Sequence, residues 1–333
     1  MSKTKEDSKE TLALENFGWK LRDEYNQIVI EALSCAQHVT GNRSFDHNVD
    51  TGNHPWGSSL RKSLEQRWND LILATVSGAS LTGNTDHSDI CGTNLSRYGY
   101  LPASEISEFW FRSIYDRHTS CGRYYHTVVH LWEMFELLDI VIAGLGVREW
   151  YVPMAWSVFF HDSIYDPKSN RNEKDSAELF RQFFSACLAK EMKNVTFDIA
   201  LTMILATEKH KVIQRSGIMA TKDTLAEVAM QKYFLDIDMA VLGKHRDAYF
   251  KYAALIRKEY EFVPHNIYCS KRAEILETFL VNTVSSADNG SSNPSKETKH
   301  IYSTESFRAA FEDRARANLR EEITLLRANT VPE

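Results

Sequence analysis

The sequence predicts an all-α fold, and three observations carry the prediction. From residue 104 onward, apolar residues recur at helical spacing in one segment after another. No segment there alternates apolar and polar residues over the length of a strand. Helix punctuation falls between the segments: Pro153 suits a first helical turn, Asn172 with Asp175 resembles a capping box with the shorter acid, and Gly243 is placed to stop a helix.

Taken in order, residues 1–12 are polar and loose, and a helical pattern covers 13–36. Residues 39–58 are rich in Gly, Asn, His and Asp and read as loop, whereas QRWNDLILATV at 66–76 has helical spacing. A second irregular connection spans 78–94. Helices are then expected over 104–117, 124–143, 152–162, 173–190, 197–209, 223–242, 245–261, 268–282 and 305–327. The segment 285–299 is low in hydrophobicity and reads as a flexible surface insertion. The organisation expected is an N-terminal extension over 1–95, partly irregular and with helices contributing to the core. A helical domain over 96–333 follows it.

A chain of 333 residues makes one large domain or two smaller ones, and 43% hydrophobic with 11% aromatic residues suffices for a sizeable core. A formal charge of -6 gives no reason to expect a nucleic-acid polymer or an anionic membrane surface as partner. A small phosphorylated ligand needs only a local positive centre and stays open. The five cysteines are odd in number and form no CxxC, which argues against a disulfide framework or a thiolate zinc site. The opening MSKTKEDSKE has no apolar core of a secretory signal, and WYVPMAWSVFF at 150–160 is too short to span a bilayer. A reducing, cytoplasmic location is the expectation.

The chemistry concentrates in a few places. RYYHTVVHLWEM at 123–134 sets His126 and His130 four residues apart, and on a helix they project from one face. WSVFFHD ends an apolar run on His161 and Asp162. A buried imidazole and carboxylate need partners, and the pair together suits a hard to borderline divalent metal. YFLDIDMAVLG at 233–243 places Asp236 and Asp238 inside another apolar run; two acids there fit a cap or a solvent-facing turn less well, and Asp238, between Ile237 and Met239, reads as inward-facing and in need of a cation or donors. One histidine of the first pair, His161, Asp162 and one late aspartate would complete a four-ligand site assembled from separate helices.

With these residues in view, the chain resembles the HD superfamily of metal-dependent phosphohydrolases. The resemblance rests on six elements in order: R-x-YH-x3-H at Arg123 to His130, FHD-x-x-YD at Phe160 to Asp166, N-E-x-x-S-A at Asn172 to Ala177, T-x-x-H at Thr207 to His210, FLD-x-D-x-x-x-LG at Phe234 to Gly243, and A-R-x-N-L at Ala315 to Leu319. It covers about 60–328 and is best from 104. It implies an HD-type helical bundle whose metal ligands are His130, His161, Asp162 and Asp238, with Asp236 exchangeable for Asp238. The distantly related cyclic-nucleotide phosphodiesterases share the YH-x3-H segment, and the histidine matching His126 protonates the leaving group. Asp162 could both bind the ion and orient the attacking water.

The neighbouring residues have two readings each. Arg123 could hold a phosphate oxygen or make a salt bridge at a helix start, and His210 could contact phosphate or a second ion. Asp166 and Glu173 could orient waters or ligand histidines, or cap the loop between 162 and 175. Arg316 and Asn318 read as buttresses. The implied cofactor is a divalent ion (Mn, Fe, Ni, Zn or Mg), and the implied ligand is a small phosphorylated metabolite or nucleotide. No nucleic-acid polymer or membrane is expected, and a homo-oligomer is admitted. A regulatory HD-fold protein with little turnover, or a di-iron oxygenase, are the alternative functions. The inserts at 78–94, 211–222 and 285–299 depart from the compact family pattern and bear on access to the site.

Overall fold

A computed structural model describes residues 55–77, 104–188, 194–213, 221–280 and 300–331. The expected helix at 13–36, the irregular stretch at 78–94 and the surface insertion at 285–299 lie outside the described residues. Among the described residues there is no strand. The helices are α1 (Pro55–Ser77), α2 (Ser104–His118), α3 (Val128–Leu145), α4 (Tyr151–Phe160), α5 (Asn172–Cys187), α6 (Asn194–Ala206), α7 (Lys222–Asp238), α8 (Arg246–Glu259) and α9 (His265–Leu280). A short α10 (Glu305–Phe307) runs through a π-helical turn (Arg308–Glu312) into α11 (Asp313–Arg327).

The protein is an all-α, multi-helix bundle, and α4 is its centre. Nine of its ten residues, all but Val152, are buried, the pattern of a helix apolar on every side. It packs against α1, α3, α5 and α6. Trp68 of α1 stands edge-on to Trp156 and Phe159 at 5.1 and 5.2 Å between ring centroids, and Phe183 of α5 lies 4.9 Å from Trp156. The Trp156 indole N–H is satisfied by Thr75 Oγ1 at 3.0 Å. Burying one such side chain is worth ~1.5–3 kcal/mol, enough to offset one imperfectly paired polar group nearby.

Several boundaries differ from the sequence expectation. Helix α1 begins at Pro55, inside the stretch read as loop, because proline at a first turn forfeits no helical hydrogen bond. Helix α3 begins at Val128 rather than 124. Thr127 is its N-cap, with extended backbone and a hydroxyl accepting from Val129 N–H. His126 therefore lies in a turn ahead of the helix and does not share a helical face with His130. The predicted capping box at Asn172 is absent: its side chain turns back to the loop, accepting from Asp166 N–H at 3.0 Å and donating to Asp166 C=O at 2.9 Å.

At the end of α7 the chain tightens into a 3-10 turn (Met239–Gly243). A Cβ at Gly243 would fall 2.5 Å from Cβ of Phe311, so the π-helical turn can pack there only against glycine. Asn318 of α11 donates to the carbonyls of Leu242 and Lys244, both at 2.9 Å. These contacts fix the segment that presents Asp238.

Candidate metal centre

The apolar run of α4 delivers His161 to the helix C-terminus, where its own N–H still bonds Ser157 C=O at 2.9 Å. Its Nδ1 lies 3.0 Å from Val158 C=O. A carbonyl only accepts, so Nδ1 carries the proton and Nε2 offers a lone pair to the interior. His130, in the first turn of α3, aims its Nε2 at the same point, 3.3 Å from that of His161. Asp162 Oδ2 is 3.1 Å from His161 Nε2 and 4.0 Å from His130 Nε2. Asp238 Oδ1 is 3.2 Å from His130 Nε2 and 3.7 Å from His161 Nε2. The imidazoles are 3% and 1% exposed, so no bulk water satisfies them.

Donors bound to one ion at ~2.0–2.2 Å lie ~3.0–3.5 Å apart when adjacent and ~4.0–4.4 Å when opposite. The separations among His130, His161 and Asp162 match such a set, and their donor atoms all lie within 4.8 Å of one another. Two imidazoles and a carboxylate, buried and convergent, can coordinate a divalent metal ion.

The electrostatics agree. Asp162 and Asp238 are held well below the usual carboxylate range: burial opposes this, and the surrounding imidazoles outweigh it. Burial likewise opposes a charge on His161, yet Asp162 and Asp238 push it up to about 9. The pair of acids demands positive charge at this point, and a divalent cation answers that demand while leaving Nε2 unprotonated.

The two late aspartates part company. Asp236 faces away from the imidazoles and accepts from Ser303 N–H at 2.8 Å and from the N–H and hydroxyl of Thr304, each at 2.7 Å. Burial pushes it up to about 6. It anchors the chain ahead of α10. Asp238 gives its second oxygen to His210, 3.2 Å from Nε2. His210 leaves α6 with φ at +46°, a left-handed conformation uncommon outside glycine, and is exposed.

Arg123 is used by the backbone. Its Nη1 donates to the carbonyls of Asp162 at 2.6 Å and His126 at 3.1 Å, and its Nη2 to that of Ser163 at 3.0 Å. It clamps the turn that carries Asp162, and among the described residues it makes no salt bridge of the kind read from sequence. Asp166 caps its own loop, accepting from Lys168 N–H at 2.9 Å, and Glu173 lies in the first turn of α5. Neither is bonded to a cluster histidine. Arg316 pairs with Glu312 at 2.7 Å.

Glu259 is the residue that sequence reasoning missed. Its side chain is fully buried. Oε1 accepts from the N–H groups of Tyr124, Tyr125 and His126 at 2.8, 2.8 and 3.0 Å. Oε2 accepts from His126 Nδ1 at 2.7 Å and from the Tyr165 hydroxyl at 2.8 Å. The Tyr165 ring lies 4.2 Å from that of His126. Burial opposes the Glu259 charge, but His126 and the amides bring its pKa down to about 2. His126 in turn is raised, Glu259 and then Asp162 outweighing burial. Its Nε2 is 3.9 Å from Asp162 Oδ2. A signal was present: Leu255, Ile256 and Glu259 fall on one buried face of α8, so the acid continued an apolar stripe.

No family model matches this chain, and neither the curated proteins nor the solved structures contain a match. No helix among the described residues is long and apolar enough to cross a membrane. Fold and site together define an all-helical protein with a buried His130/His161/Asp162 cluster able to coordinate a metal ion.

Proposed function

We propose that the chain is a metal-dependent phosphohydrolase acting on a phosphoester or phosphoanhydride of a small nucleotide or related metabolite. One observation carries the reading: a His/His/Asp cluster has beside it a third histidine, His126, backed on Nδ1 by a buried carboxylate and turned by Nε2 toward Asp162. His130, His161 and Asp162 would hold the ion, with Asp238 as the fourth ligand. When bound, a divalent ion lowers the pKa of a coordinated water and polarises a phosphoryl oxygen. Mixed nitrogen and oxygen donors suit Mn, Fe, Ni or Zn better than Mg.

The chain's own residues do the rest. Asp162 orients the attacking water. His126, kept protonated by Glu259, donates from Nε2 to the leaving oxygen. Arg123 holds the Asp162 turn in register through its carbonyl contacts. His210 fixes the rotamer of Asp238. The resemblance to the HD superfamily agrees with this assignment of roles. Among the described residues one group of His, Cys, Asp and Glu has ligand geometry, which favours a single ion over the di-iron alternative.

The test is metal analysis of the purified protein, then phosphate release from nucleotides, sugar phosphates and pyrophosphates. Activity that vanishes on chelation and returns with Mn or Ni is the expected result. Bound metal with no hydrolysis of any phosphate compound overturns the enzymatic reading in favour of a regulatory one. Iron-dependent oxygen consumption moves it to oxygenase chemistry.

A further inference from the structure

A cavity of about 580 Å³ opens between α2 and the turn after α4, within the ~300–1,000 Å³ range of small-molecule sites. Its wall includes three arginines, Arg112, Arg117 and Arg123, against one acid, Asp116. Arg112 bonds Glu108 at the surface. The other two guanidinium groups have no carboxylate partner among the described residues, and Nε of each is buried without a hydrogen bond. Three guanidinium groups against the single carboxylate of Asp116 leave this wall with a surplus of positive charge, which an incoming anion offsets. The remaining wall includes Phe109, Ile164 and Tyr165, and Phe109 is 65% exposed.

We propose that this cavity is a second ligand site, taking a small phosphomonoester whose phosphate meets Arg112 and Arg117 and whose flat or apolar part lies along Phe109 and Ile164. Guanidinium forks match phosphate oxygens in geometry as well as charge. The site is separate from the metal cluster, because neither His130, His161, Asp162 nor Asp238 lines it. It adjoins the cluster through Arg123, whose Nη atoms hold the carbonyls of Asp162 and Ser163. The ligand bound here is therefore an effector or second ligand and not the reacting group. The proposal stands whether or not the chain is a hydrolase.

The test is calorimetric titration of the full chain, as purified and after chelation, with inorganic phosphate, adenosine monophosphate and adenosine. The monophosphate is expected to bind in both preparations with one site per chain, inorganic phosphate more weakly, and adenosine weakest. Arg117→Ala should weaken monophosphate binding about 10- to 100-fold, the usual effect of losing a charged hydrogen bond. Arg112→Gln and Phe109→Ala alter exposed side chains, so they keep the test valid if Arg117→Ala unfolds; each should weaken binding several-fold. Binding lost on chelation would place the anion at the metal centre and overturn the proposal. Binding unchanged in Arg112→Gln and Phe109→Ala, or no binding at millimolar monophosphate, would also overturn it.

Discussion

Asp236 and Asp238 stand two residues apart at the end of α7 and face different worlds. Asp236 meets amide N–H groups and a hydroxyl; Asp238 meets three imidazoles. The first is pushed up to about 6 by burial, the second is held well below the carboxylate range despite burial. Amide donors satisfy a buried carboxylate without cancelling its charge, whereas convergent imidazoles form a site that a cation completes. Glu259 is the intermediate case, accepting from amides and from an imidazole at once. A buried carboxylate thus becomes an anchor for backbone amides, an acceptor facing convergent imidazoles or a mixture of the two according to what its oxygens meet.

The largest effect expected from this comparison is on turnover. With a true substrate in hand, one whose leaving oxygen needs protonation, His126→Ala should slow the reaction ~10²–10⁴-fold while metal content stays near normal. Measuring rate and metal on the same preparation separates the roles. Metal lost together with activity would make His126 a ligand, and an unchanged chemical step would remove it from the mechanism.

The two aspartates can be tested directly against each other. Asp238→Asn should weaken metal affinity by at least the ~10–100-fold typical of an outer partner, and Asp236→Asn should leave affinity unchanged. Competition with a chromophoric chelator reads both. The reverse outcome would break the comparison.

Glu259 sharpens it through pH. Its folded pKa, about 2, lies below the ordinary value of 4.5, so the unfolded chain binds more protons between these limits. The stability it contributes is complete above pH ~4.5 and is lost as pH falls toward ~2, about 3 kcal/mol in all. Urea titrations across this range should show a shallower acid limb for Glu259→Gln. A limb as steep as that of the parent protein would mean that other carboxylates carry it.

The smallest effect is structural. Asp236→Ala leaves the N–H groups of Ser303 and Thr304 and one hydroxyl without their acceptor, which should cost ~1–3 kcal/mol in denaturant unfolding with metal content intact. A loss below ~0.5 kcal/mol would show that water reaches this segment.

The sequence carried the succession of helices and the burial of α4, because apolar periodicity and a run polar only at Ser157 are local patterns. It also held Thr127 as a cap before an apolar run, a signal strong enough to have moved the start of α3 and to have taken His126 off that helix. At 100° per residue, Asp236 and Asp238 had to face opposite ways on α7. Which of them meets the imidazoles was decided only when α7 packed against α3 on one side and the 303–304 segment came to the other. Glu259 could be read as an acid on a buried face, but its five donors come from residues at least 94 positions away. Contacts of that separation leave no local pattern, since what selects them is the packing of helices and the need of each buried charge for a partner.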